Sequence, residues 1–76
     1  MSRALDFTPE DVAAAVKSLT AAQRRAVSAG ALRYGRGYWP LRNGLIERSL
    51  MTTANRIPVL TPFGRAVQVE LRRSGQ

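Results

Sequence analysis

A small, mostly helical domain carrying one β-hairpin is what this 76-residue sequence predicts. Three observations lead there. Thr8-Pro9-Glu10-Asp11 and Thr61-Pro62 are helix-start signals, each placing a capping hydroxyl before a proline at the first helical position. After both, apolar residues recur at helical spacing. Between them, residues 50–54 and 57–61 are two short runs that favour extended structure, separated only by Asn55 and Arg56. The expected order is helices, a short ribbon and a closing helix, in a single domain spanning 1–76. Residues 1–7 are expected as a flexible lead-in, from which Leu5 and Phe7 are available to pack back on the core, and 74–76 as a flexible tail.

The first helix follows Thr8, with Glu10 and Asp11 near the positive end of its macrodipole. Val12, Ala15, Val16 and Leu19 recur at i, i+3, i+4 and i+7, giving one buried stripe. Thr20-Ala21-Ala22-Gln23 restarts a helix in capping-box form, the Gln reaching back to the Thr backbone. Ala22, Ala26, Val27 and Gly30 are expected on its inner face, their small size allowing close helix approach, while Gln23, Arg24 and Arg25 point away or to the sides. Gly30 is the stop. The segment LRYGRGYW that follows reads as a loop or short irregular strand, because of Gly35 and Gly37. Pro40 then starts a third helix, with Leu41, Leu45 and Ile46 inward. Gly44 inside it costs about 1 kcal/mol against Ala, so tertiary packing has to hold this element. Leu50 and Met51 lead into the ribbon, whose turn lies near Asn55. The last helix, about residues 62–73, buries Phe63, Ala66, Val67 and Leu71 at helical spacing.

Composition narrows the function classes. A chain of this length buries only about 60% of its unfolded surface, so the fold is expected to be modestly stable, without volume for an apolar effector pocket. There is no Cys and no His. That removes disulfides, thiolate metal sites, the usual general base and any histidine switch, so no metal and no cofactor is expected. Five scattered carboxylates offer no acid–base pair, and the glycines of RYGRGY lack the spacing of a phosphate loop. The chain is not expected to be an enzyme. No apolar run approaches the roughly 20 residues that cross a bilayer, so a cytoplasmic, nucleoid-associated location is expected.

The charge of +7 is unevenly distributed. In residues 1–19, Arg3 and Lys17 face Asp6, Glu10 and Asp11, leaving −1; in residues 20–76, ten Arg face only Glu47 and Glu70, leaving +8. Eleven of the twelve cations are Arg, the side chain suited to bidentate phosphate and guanine contacts. The partner implied is a polyanion, with RNA possible on charge alone.

Thr20 and Gln23, Leu41 and Leu45, Arg48-Ser49-Leu50, and Leu60-Thr61-Pro62-Phe63-Gly64-Arg65-Ala66-Val67 together resemble small winged helix-turn-helix DNA-binding domains of the MarR-like and phage-regulator groups. The resemblance covers roughly residues 19–71, the Leu-Thr-Pro-x-Gly-Arg piece being its most specific part. It implies a bacterial or phage transcriptional regulator whose recognition helix spans about 40–49 and whose wing spans 50–60. Ser49 departs from the pattern, standing where Gly ends the recognition helix. The stretch 31–39 also leaves little room for a scaffolding helix, so helices at 9–18, 20–29 and 40–49 are an alternative numbering.

Candidate contacts follow from the helix faces. With Leu41 and Leu45 inward, Arg42, Asn43 and Glu47 turn outward, and these side chains pair with guanine, adenine and cytosine edges respectively. Gly44 either lets the backbone approach DNA or packs against another helix. Arg56 at the wing tip is placed for the minor groove or a phosphate. Arg24 and Arg25 at a helix start, with Arg33 and Arg36 in the glycine loop, suit phosphate neutralisation. Tyr34, Tyr38 and Trp39 suit base stacking, but Trp39 and at least one Tyr are expected to close the small core instead. Double-stranded DNA is the expected partner, bound by a homodimer or larger assembly associating through the last helix. The alternative is a winged-helix interaction module binding an acidic protein.

Overall fold

The computed structural model describes residues 7–74, in the order α1 (Pro9–Ser18), α2 (Ala21–Ala29), α3 (Tyr38–Glu47), β1 (Met51–Ala54), β2 (Ile57–Leu60) and α4 (Pro62–Arg73). Residues 1–6 of the expected lead-in and the last two tail residues lie outside the described residues. Both capping boxes form. Thr8 Oγ1 accepts from Asp11 N at 3.1 Å while Asp11 Oδ2 accepts from Thr8 N at 3.0 Å. Thr20 and Gln23 make the same reciprocal pair at 3.2 and 2.9 Å. Each box satisfies backbone donors that a helix start otherwise leaves free. Gly30 ends α2 with φ of 74°, its N–H donating to Ala26 O and Val27 O.

The third helix begins two residues before the expected Pro40. Gly37, with φ of 78°, is its N-cap and contributes no side-chain hydrogen bond. Pro40 falls in the first turn, where amides lack an intrahelical acceptor and a missing N–H is harmless. Residues 31–37 form turns and bends rather than a scaffolding helix, so the three helices before the hairpin are α1, α2 and α3.

The hairpin is antiparallel, pairing Met51 with Leu60, Thr52 with Val59, Thr53 with Pro58 and Ala54 with Ile57. Alternation of bonded and non-bonded pairs puts Pro58 where its absent N–H faces away from the ladder. Side-chain alternation sends Met51 into the core and leaves Ile57 and Val59 exposed.

α4 is the hub, packed against α1, α2 and β2. Its Val67 and Leu71 join Val12, Leu19, Ala26, Val27, Leu45, Leu50 and Met51 in one core, with Phe7 and Phe63 packed on it and stacked on each other at 5.3 Å. Its outer side keeps Arg65, Val69 and Arg73 exposed. On α2, Ala26 and Val27 are buried as expected, but Ala22 is exposed and Gln23 is half-buried against α3.

Candidate nucleic-acid interface

α3 is anchored by Leu45, fully buried, with Leu41 and Ile46 packed against the core. That anchoring leaves Asn43 and Glu47 exposed, four residues apart on one side. Arg42 is half-buried: its guanidinium lies 5.3 Å from the Trp39 ring centre, and its Nη1 donates to Asn43 Oδ1 at 3.1 Å. Two of the three candidate base-contacting residues are thus tied to each other. Gly44 faces inward, since a Cβ there would stand 3.3 Å from Gln23 Nε2. Of the two roles for Gly44, the helix contact is the one present.

The exit from α3 explains how Ser49 substitutes for glycine. Leu50 N donates to Leu45 O and Ser49 N to Ile46 O, both at 3.0 Å, the paired bonds of a Schellman cap. Ser49 occupies its left-handed position with φ of 64°. Leu45 and Leu50, the apolar pair of that motif, are both fully buried.

At the far end of the hairpin, Asn55 and Arg56 have φ of 52° and 69°. Two positive values across a two-residue loop mark a type I′ turn, whose twist matches the flanking strands. Asn tolerates this conformation; Arg does not, and glycine is the usual second residue. Arg56 is exposed at the tip.

Thr61 locks the base of the hairpin. Its Oγ1 donates to Ser49 O at 2.6 Å and accepts from Gly64 N at 2.9 Å, while its backbone N–H donates to Leu50 O at 3.1 Å. One buried residue therefore joins the end of α3, the end of β2 and the start of α4. The ribbon leaves α3 at a defined place because of it.

The other candidate cations divide by element. Arg25, Arg33 and Arg36 line one open groove of about 410 Å3, whose apolar wall includes Ala26, Leu32 and Leu41. Arg24, half-buried in the first turn of α2, is not among the groove residues. From residue 12 to residue 46 there is no carboxylate, against Lys17, Arg24, Arg25, Arg33, Arg36 and Arg42. The expectation for the aromatics is overturned. Trp39 is 54% exposed and Tyr34 79%, and none of Tyr34, Tyr38 and Trp39 packs on the core. They pack on one another at 4.9, 5.0 and 6.4 Å between ring centres.

Three further residues act in ways the sequence did not signal. Arg48 Nη1 donates to Ser18 Oγ at 2.7 Å, tying the ends of α3 and α1. Gln68 Nε2 and Arg72 Nη2 both donate to Ser28 O, at 3.1 and 2.9 Å. α2 has no basic residue in its own last turn, so Arg72 supplies the cation that favours a helix C-terminus. These bonds span 30 to 44 residues, beyond any local pattern. Among the described residues no cluster of three or more His, Cys, Asp or Glu forms, and no helix is long and apolar enough to cross a membrane. No family profile, curated protein or solved structure matches this chain.

Proposed function

We propose that this chain is a non-catalytic, duplex-DNA-binding protein of winged helix-turn-helix layout, a transcriptional regulator of bacterial or phage type. In this reading α2 and α3 form the helix pair, Asn43 and Glu47 face base edges, and the hairpin is the wing. The observation that carries it is Arg56. A basic surface alone suits any polyanion, but an arginine held in a glycine conformation at a hairpin tip is a strained choice. Strain of this kind, about 1–2 kcal/mol, persists where the side chain is needed. A hairpin beside a groove-bound helix reaches the neighbouring backbone, where a cation is favoured.

The test is Arg56→Gly. If Arg56 contacts DNA, the variant gains about 0.5–1 kcal/mol in urea unfolding, because glycine relieves the strain but loses more chain entropy. At the same time it binds random duplex more weakly, with a log–log salt slope shallower by about 0.9. A variant that is more stable and binds equally well removes the wing from the interface.

A second reading, an interaction module for an acidic protein, is favoured by the exposed Ile57 and Val59 on the hairpin and by Glu47, which opposes phosphate. Absence of random-duplex binding at low salt would select it over the first.

A further inference from the structure

We infer that Tyr34, Tyr38 and Trp39, with the arginine groove beside them, form a second nucleic-acid site that takes unpaired bases. The chain would then bind a single strand, or the single-stranded arm of a duplex, at a surface apart from the wing. The inference rests on the nucleic-acid reading above only through the sign of the charge.

A contiguous exposed aromatic patch marks a binding surface more than scattered apolar residues do, and here exposed Tyr34 and Trp39 lie together with half-buried Tyr38. Their mutual contacts are tilted or edge-to-face, with interplanar angles of 51°, 82° and 87°. That geometry is favourable between rings, and it holds the cluster together before any ligand arrives. Less side-chain freedom remains to be lost on binding. Arg42 over Trp39 adds a cation at a ring face, the arrangement that also suits a stacked base.

The same loop supplies the phosphate side. Arg33 and Arg36 flank Tyr34 in sequence, yet line the groove with Arg25 of α2. The loop thus contributes a ring to the cluster and two arginines to the lining of the groove. Rings for the bases beside cations for the backbone is the general design of single-strand binding surfaces. The nearest carboxylates in sequence are Asp11 and Glu47, so nothing on α2 or in the loop opposes a polyanion. An apolar protein surface would use the rings but not the arginines; an acidic one would use the arginines but not the rings. A single strand uses both.

Trp39 is the chain's sole tryptophan, so its emission reports on this site directly. The experiment adds an oligothymidylate of about ten nucleotides, within the usual span of one such site, to the full chain. Intrinsic fluorescence is read alongside anisotropy of a labelled strand. Saturable quenching is expected. Tyr34→Ala, which removes the most exposed ring of the cluster, should weaken single-strand binding by about 5- to 150-fold, the range for losing one stacked base. Its affinity for blunt duplex should stay within twofold.

Polyglutamate of equal charge serves as the control without bases. Quenching by it equal to that of the oligonucleotide would reduce the site to charge and overturn the inference. So would single-strand binding that Tyr34→Ala leaves unchanged. If duplex binds while the single strand neither binds nor quenches, this inference falls and the duplex reading stands. If neither nucleic acid binds at low salt, both fall.

Discussion

Ser49, Asn55 and Arg56 are the non-glycine residues held at positive φ among the described residues, and all three border the hairpin. Asn55 adopts the left-handed region at little cost, whereas Ser49 and Arg56 carry about 1–2 kcal/mol each. Ser49 is exposed, and its backbone N–H and carbonyl are bonded while its hydroxyl has no partner among the described residues, so its strain serves the direction of the chain rather than a side-chain contact. Ser49→Gly should therefore raise stability by about 0.5–1 kcal/mol in chemical denaturation and leave nucleic-acid binding unchanged. A loss of stability would mean that the serine hydroxyl does more than its exposed position indicates. At this scale the sequence was informative where a residue acts on neighbours three positions away. Thr8 with Asp11, Thr20 with Gln23, and Thr61 before Pro62 are local devices, and all three were legible. Tyr34, Tyr38 and Trp39 were misread, because hydrophobicity gives the tendency to be buried and not the place where the core ends.

Two glycines separate sequence from packing at the scale of elements. Gly64 sits in the first turn of α4, where alanine would ordinarily favour a helix by about 1 kcal/mol. Here a Cβ would overlap the Leu50 carbonyl oxygen, which is fixed in place by its bond from Thr61 N. The overlap is with backbone, so neither side yields easily. Gly64→Ala should cost about 3 kcal/mol or more, a large share of the roughly 4–11 kcal/mol available to a chain this short. Gly44→Ala is the contrasting case. Its Cβ would meet only the Gln23 amide at 3.3 Å, so the gain in helix propensity is offset by a small shift of a side chain held by Thr20 N. That variant should stay within about 0.5 kcal/mol of the parent. Comparable losses at both positions in thermal or urea unfolding would refute this account of how α4 meets the hairpin. Helix starts were legible because capping is local; the α4 hub was not, since Gln68 and Arg72 reach Ser28 O only after the chain has doubled back.

For the molecule as a whole, the charge of +7 lies on a body whose Cα envelope measures 33 × 32 × 16 Å. In so thin a body the cations are mostly at the surface and repel one another. The ion pair found among the described residues, Arg73 with Glu70 at 3.4 Å, is solvent-exposed and contributes little. Added sodium chloride should therefore raise the melting temperature of the free protein by screening self-repulsion, while the proposed duplex binding should weaken by counterion competition. Opposite signs in the two titrations are the expected signature. A melting temperature that falls with salt would show attractive pairs outweighing the repulsion.

The sequence by itself determined the elements, the caps, the hairpin turn at Asn55 and Arg56, and the one-sided charge, because each depends on residues within a few positions or on composition alone. Tertiary structure decided the rest. Only the folded chain shows Arg25, Arg33 and Arg36 sharing a groove, Gly44 turned toward α2, α4 packed against α1, α2 and β2, and the aromatic cluster apart from the core. These depend on which helix faces meet. That is settled by close packing across the whole core, where one backbone approach such as Gly64 to Leu50 fixes the positions of elements far apart in sequence.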